Sequence, residues 1–253
     1  MTDRYPDFVA RFYDTVYAQV RDGVDNEYYL RKMADAGGPV LEIGVGTGRL
    51  LSEALRRGVD AYGIDVSPTM IERCREKLPP ADRERVWVAD AVRMPTDRRF
   101  ALVVAPFRVL SHVHPPEDQR RLLDAVHGVL GPGGAFVFDL YVPSLKLLLE
   151  GLPEMCDFDG EHSPGRRLRR LVSSNPADLA RQTNHVRMSF VWDEDESEQR
   201  GDWEFDMRFF FRFELEHLVA RSRLRLETIH GDFEEGPLDA ESREYVVVCR
   251  RED

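Results

Sequence analysis

The sequence predicts an α/β fold: a mostly parallel sheet between two layers of helices, followed by a small antiparallel sheet inserted after the fifth strand. Three observations predict it. Between about 39 and 143, short runs apolar at every position alternate with helical segments, and strands of that kind are buried on both faces. Directly after the first such run come Gly44, Gly46 and Gly48, a turn leading into a helix. Beyond 143 the period drops to two, along Val186, Met188, Phe190 and Trp192 and again along Trp203, Phe205, Met207, Phe209, Phe211 and Phe213.

Taken in order, residues 5–21 form an amphipathic helix, with Phe8, Phe12 and Val16 on one stripe and Val9, Tyr13 and Tyr17 beside it. The sequence PVLEIG is the first strand, RLLSEALRRG a helix, AYGID the second strand and PTMIERCREKL the next helix. Ser67 caps that helix, with Pro68 at its first position, where a missing N–H costs nothing. RVWVAD and FALVVAPF follow as strands three and four, then EDQRRLLDAVHGVL as a helix, a GPGG stop and AFVFDLYV as strand five. Past the change of period, LRRLVSS, VRMSFVW and WEFDMRFFFRF read as antiparallel strands, with DEDESEQRGD as a charged hairpin tip. FELEHLVARS is a helix, and RLRLETIHGDF and EYVVVCRR are two closing strands that pair antiparallel.

Composition narrows the function classes. The 253 residues suit one elaborated domain, and 42% hydrophobic with 32% charged residues is ordinary for a globular chain. A net charge of -11 disfavours nucleic acid, whose phosphates need a basic face. No run approaches the roughly eighteen apolar residues of a membrane helix, and the first residues lack a signal's apolar core, so a cytoplasmic protein is expected. Cys74, Cys156 and Cys249 are too dispersed for a disulfide framework or a zinc site, and no metal is expected.

The chemistry is concentrated at three strand ends. Glycines at 44, 46 and 48 let the backbone turn tightly beneath a ligand near the positive end of the next helix. Arg49 breaks the G-x-G-x-x-G spacing, which disfavours NAD and FAD. Asp65 ends the second strand, where a carboxylate accepts hydrogen bonds from a ribose diol. Asp90, followed by Ala91, ends the third, where a carboxylate accepts from an adenine amino group.

With those residues in view, the chain resembles the class I S-adenosylmethionine-dependent methyltransferases. E-x-G-x-G-x-G at 42–48, Asp65 and Asp90-Ala91 match the family's first three motifs in order, and PGG at 132–134 matches a later one. The resemblance covers about 35–140 closely, with 215–251 looking like the family's sixth strand and antiparallel seventh. It implies a three-layer sandwich around a seven-stranded, mostly parallel sheet, with S-adenosylmethionine as cofactor and S-adenosylhomocysteine as product. It also implies that Gly44 and Gly46 border the methionine part, that Asp65 holds the ribose, and that Asp90 and Ala91 meet the adenine. Tyr13, Glu42, Gly48, Val66, Met70 and Phe107 complete the expected cofactor-binding set. Four segments follow: a helical cap at 1–34, the cofactor-binding core at 35–145, an inserted lid sheet at 146–213, and 214–253 completing the core.

The acceptor is read from the end of the fourth strand, APFRVLSHVHPP. Ala105-Pro106-Phe107-Arg108 stands where relatives acting on DNA bases or glutamine carry N-P-P-Y or D-P-P-Y, so those acceptors are disfavoured. His112 is the candidate base, since imidazole titrates at about 6.5. Tyr17, Arg108, Arg208 and Arg212 are candidate substrate contacts, the arginines for an anionic group. The expected activity is direct methyl transfer to a small molecule, with nitrogen favoured over oxygen as acceptor and positioning dominant over acid–base catalysis. A non-catalytic S-adenosylmethionine-binding module and a methyltransferase of RNA or protein remain alternatives, and a homodimer is left open.

Overall fold

A computed structural model describes residues 5–20, 23–94, 97–195 and 197–252. The chain divides into two compact units, one comprising Gly23–Val142 with Phe209–Asp253, the other the N-terminal helix with Pro143–Arg208. The expected cap at 1–34 is thereby split, because the first and second helices bury their apolar faces in different cores.

The first unit is built on a seven-stranded sheet. Its strands are β1 (Val40–Ile43), β2 (Ala61–Asp65), β3 (Val86–Val88), β4 (Phe100–Ala105), β5 (Leu130–Tyr141), β10 (Leu224–His230) and β11 (Glu244–Arg251). Their order across the sheet is β10-β11-β5-β4-β1-β2-β3. All neighbours are parallel except β11, which runs antiparallel to both β5 and β10. Strands apolar on both faces are buried by two separate helix layers. Helices α2 (Val24–Ala34), α3 (Arg49–Arg56) and α4 (Pro68–Lys77) pack with Val40, Val104 and Val137 on one face. Helices α5 (Pro116–Val129) and α7 (Arg212–Ala220) pack with Leu41, Phe136 and Phe138 on the other. The Ser67 cap is present, its hydroxyl accepting from the Met70 N–H at 3.3 Å. Strand β5 begins at Leu130 and takes in the glycines expected to precede it, with a break of register against β4 between Leu130 and Ala135 and Gly133 in the left-handed region.

The second unit is a four-stranded antiparallel meander, β6 (Leu152–Ser163), β7 (Arg166–Ser174), β8 (Thr183–Glu194) and β9 (Ser197–Arg208), preceded by the short helix α6 (Leu145–Glu150). Helix α1 (Asp7–Val20) buries Val9, Phe12 and Val16 against Phe158, Phe190, Trp192, Trp203 and Phe205 of that sheet. Its burial face thus runs through Val9, Phe12 and Val16, while Phe8 is half-buried.

Two expectations change. The charged stretch at 193–202 lies mostly inside β8 and β9, paired as far as Glu194 with Ser197, because its charges occupy strand positions that face water. The strand expected to continue through 213 stops at Arg208, and Phe211 opens α7 with its N–H donated to the Glu214 carboxylate at 3.4 Å. Strand β6 and helix α6 had no counterpart in the sequence reading: β6 buries only Phe158 fully and so lacks a clean period. No helix among the described residues is long and apolar enough to cross a membrane.

Candidate cofactor and acceptor site

Parallel pairing of β1 with β2 and of β2 with β3 brings Ile43, Asp65 and Val88 to one edge of the sheet. The chain leaves β1 with the Gly44 and Val45 N–H groups both donating to the Ile64 carbonyl, at 2.8 and 2.9 Å. It then turns through Gly44, Gly46 and Gly48 at φ 72°, 53° and 79°, a left-handed region in which side chains are strained. Space differs at the three. A Cβ on Gly44 would lie 2.6 Å from the Val109 Cγ2, and one on Gly48 would overlap the Cys74 sulfur. At Gly46 a Cβ would meet nothing nearer than the Gly44 carbonyl at 4.0 Å, so this side of the loop is open.

Asp65 fastens the loop. One carboxylate oxygen accepts from the Gly46 N–H at 2.9 Å and the other from the Ser67 N–H at 2.8 Å. Burial pushes its carboxyl above the ordinary value, and the backbone N–H groups of Ser67, Gly46 and Val66 work against that. Three backbone donors on a carboxylate with about four lone-pair positions leave room for a ligand hydroxyl. Val66 is half-buried and Met70 fully buried behind it. Asp90 caps the short 3₁₀ turn Ala91–Arg93 by accepting from the Val92 N–H at 3.0 Å, and Ala91 is buried. Glu42, only 2% exposed inside β1, is lifted well above the usual carboxylate range by burial, with Arg49 and the Leu51 N–H pulling the other way.

The end of β4 carries the acceptor-side candidates. Phe107 and Arg108 are consecutive non-glycine residues in the left-handed region, at φ 61° and 62°. Such positions cost about 1–3 kcal/mol each and persist only where their surroundings hold them. Here the Phe107 N–H donates to Asp139 Oδ1 at 2.9 Å, and the Tyr29 hydroxyl donates to the same oxygen at 2.7 Å. The Phe107 ring lies beneath the Arg49 guanidinium, 4.6 Å from its centroid. Arg108 donates to Glu244 Oε1 at 2.9 Å and lies over the Tyr141 ring at 5.2 Å. Its charge, expected to meet an anionic substrate, is therefore already matched by a carboxylate. His112 ends the 3₁₀ turn Val109–His112 that follows and is half-buried.

The remaining candidates belong to other elements. In the second unit the rings of Tyr13 and Tyr17 are 4.3 Å apart, and Tyr17 lies under Arg170, which is paired with Asp157 at 2.7 Å. Arg208 is 5% exposed and donates to the Gln182 side chain at 3.0 Å. Arg212 does not share its strand: it sits on α7, exposed, paired with Glu216 at 2.8 Å. Sequence reasoning missed Tyr29, Asp139 and Glu244. Asp139 had a signal, as the lone charge within the apolar run AFVFDLYV.

Comparison with known proteins bears on the fold. Residues 40–134 match a family model described as a methyltransferase domain. An uncharacterized methyltransferase of Geobacillus kaustophilus is 35% identical over 127 residues, covering 50% of this chain and 57% of the relative. The chain thus spans little more than half the length of that curated relative. Among solved structures, the CcbJ methyltransferase of Streptomyces caelestis is 25% identical with a TM-score of 0.75, covering 91% of this chain and 95% of the other. The sugar N-methyltransferase KedS8 of a Streptoalloteichus species is 21% identical with a TM-score of 0.76, covering 100% and 98%.

Proposed function

We propose that this chain, which carries a class I S-adenosylmethionine-dependent methyltransferase domain, transfers a methyl group to a small molecule, with an amine as the acceptor. The observation that carries the reading is the alignment of three parallel strand ends, where the open side of Gly46, the Asp65 carboxylate and Asp90 lie in strand order. These residues fit the cofactor: a glycine turn without side chains for its methionine end, and carboxylates with spare lone pairs for ribose hydroxyls and the adenine amino group. When bound, the cofactor supplies a methyl group on a positively charged sulfur, already reactive toward a lone pair.

What the protein adds is placement. The Phe107–Arg108 turn fixes the wall beside the cofactor loop, and alignment of reactants in such a site is worth up to roughly 7–11 kcal/mol of barrier. The His112 imidazole is the group we assign to take a proton from the acceptor nitrogen, an effect typically about 10²–10⁴-fold. The choice of nitrogen is supported by the fold shared with KedS8, described as a sugar N-methyltransferase. It is also supported by Arg108, whose charge is paired with Glu244 rather than presented to an acidic acceptor.

The test is thermal unfolding with S-adenosylmethionine, S-adenosylhomocysteine, NAD or no addition. Ligand at about 100 times its dissociation constant adds roughly 2.7 kcal/mol, about 5–10 °C here. A shift with the two sulfur nucleosides alone, followed by methylation of amino sugars and other amines in a screen, is the expected result. Binding without turnover on any class of acceptor would favour a non-catalytic sensor, and no binding by ligand-free folded protein would remove the reading altogether.

A further inference from the structure

We propose that Asp139, with Tyr29 behind it, is a positioning residue that holds the backbone of the Phe107–Arg108 turn in its left-handed conformation. The inference rests on the reading above, in which the Phe107–Arg108 turn fixes the wall beside the cofactor loop. Asp139 is 0% exposed in a strand whose neighbouring positions are Phe136, Val137, Phe138 and Leu140, all buried. A carboxylate there is poorly solvated, so the packing of β5 alone is served better by an apolar side chain. What the carboxylate does is accept from two sides. The Tyr29 hydroxyl comes from α2, and the Phe107 N–H comes from the first residue of the strained turn.

Tyr29 is itself immobilised. It is 1% exposed, with the rings of Tyr28 and Phe233 at 5.4 and 6.2 Å. The relay therefore runs from a rigid helix through a fixed carboxylate to a backbone amide. The other anchors of the turn, Arg49 on the Phe107 ring and Glu244 on Arg108, grip side chains and leave φ less constrained. Directly after the turn come Val109, whose methyl abuts Gly44 of the cofactor loop, and His112. A shift in the Phe107 backbone is thus transmitted both to the cofactor loop and to the candidate base.

The experiment compares Asp139→Leu, Asp139→Asn and Tyr29→Phe with the parent, by amide hydrogen exchange and by calorimetric titration with S-adenosylhomocysteine. In Asp139→Leu, exchange in the peptide spanning 105–113 should quicken on the order of ten-fold, while peptides from β1 and β2 keep their rates. Affinity for S-adenosylhomocysteine should fall by a factor of a few. Asp139→Asn, which keeps an acceptor oxygen, should restore both readouts close to the parent. Tyr29→Phe should give a smaller acceleration confined to the same peptide, and it decides the matter if Asp139→Leu does not fold. Unchanged exchange at 105–113, equal acceleration across the whole core, or an Asn variant as loose as the Leu variant would each overturn the proposal. Failure of the parent to bind S-adenosylhomocysteine would strike the functional reading, and the exchange data would still decide whether Asp139 holds the turn.

Discussion

The Gly46 N–H and the Asp65 carboxylate are joined at 2.9 Å across the ends of two neighbouring strands, so the residue proposed to hold a ribose also fixes the loop proposed to hold the methionine end. Asp65→Ala should then lose more than one contact. We expect affinity for S-adenosylhomocysteine to fall about 30–100-fold, as for loss of a charged hydrogen bond plus loosening of the loop, with the far-ultraviolet circular dichroism unchanged. Calorimetric affinity within three-fold of the parent would refute the placement.

Gly63 lies beneath the same loop. A Cβ there would stand 2.7 Å from a Val45 methyl and 2.9 Å from its Cβ, and Val45 is buried. Gly63→Ala should cost about 1–3 kcal/mol by overpacking, and Val45→Ala in the same chain should recover much of it. Urea denaturation of both single variants and the double variant measures the coupling, and additive costs would show that the two positions do not press on each other.

Glu42 gives a pH signature. Its carboxyl is raised in the fold relative to the unfolded chain, so the folded state binds the extra proton, and stability declines as pH rises from the ordinary carboxylate value of 4.5 toward the raised one. Glu42→Gln should flatten that decline, leaving the variant as stable as the parent near pH 4 and more stable near pH 8. Parallel melting curves at all pH values would contradict the assignment.

Asp202 works in the opposite direction. The Ser189 hydroxyl and then Arg187 hold its carboxyl at about 2, below the ordinary 3.8. Its contribution is present above pH 3.8 and fades as pH falls through about 2. With the side chain about a third exposed, we expect Asp202→Asn to cost at most about 1 kcal/mol at pH 7 and only a small fraction of that at pH 2. Denaturant titrations at the two pH values provide the check.

His112→Ala should lower turnover on an identified acceptor by about 10²-fold or more while S-adenosylhomocysteine binding stays within a few-fold. Because an unassisted amine already reacts with a sulfonium, full turnover in the variant would move the proton to water and make placement the entire catalytic contribution.

Much of this was legible in the chain. The doubly buried strands announced themselves by apolar runs, and Ser67-Pro68 marked the start of α4 to the residue. The reversed β11 was expected from the resemblance and is present between β5 and β10. Phe107 and Arg108 were noticed as side chains, but their left-handed backbone leaves no trace in composition, since neither is glycine, and it depends on Asp139, some thirty residues on. The partner of Arg108 was equally hidden: Glu244 reaches the turn because β11 pairs with Tyr141 in reverse. Strand β9 was cut short at its start, where a run of charges looked like a loop, and drawn too long at its end, where Phe209–Phe213 kept the alternation after the strand had finished.

That charged start of β9 has a consequence for solubility. The strand stands last in the order of its sheet and is twelve residues long, with β8 as its one neighbouring strand among the described residues. Long edges of this kind recruit strands from other chains. Glu198, Arg200, Asp202, Glu204 and Asp206 stand at alternate positions along it, on the face opposite Trp203 and Phe205. A second β9 laid antiparallel against it would bring mostly like charges together. The acidity that looked like the mark of a loop thus works against pairing of this regular strand with a second copy of itself.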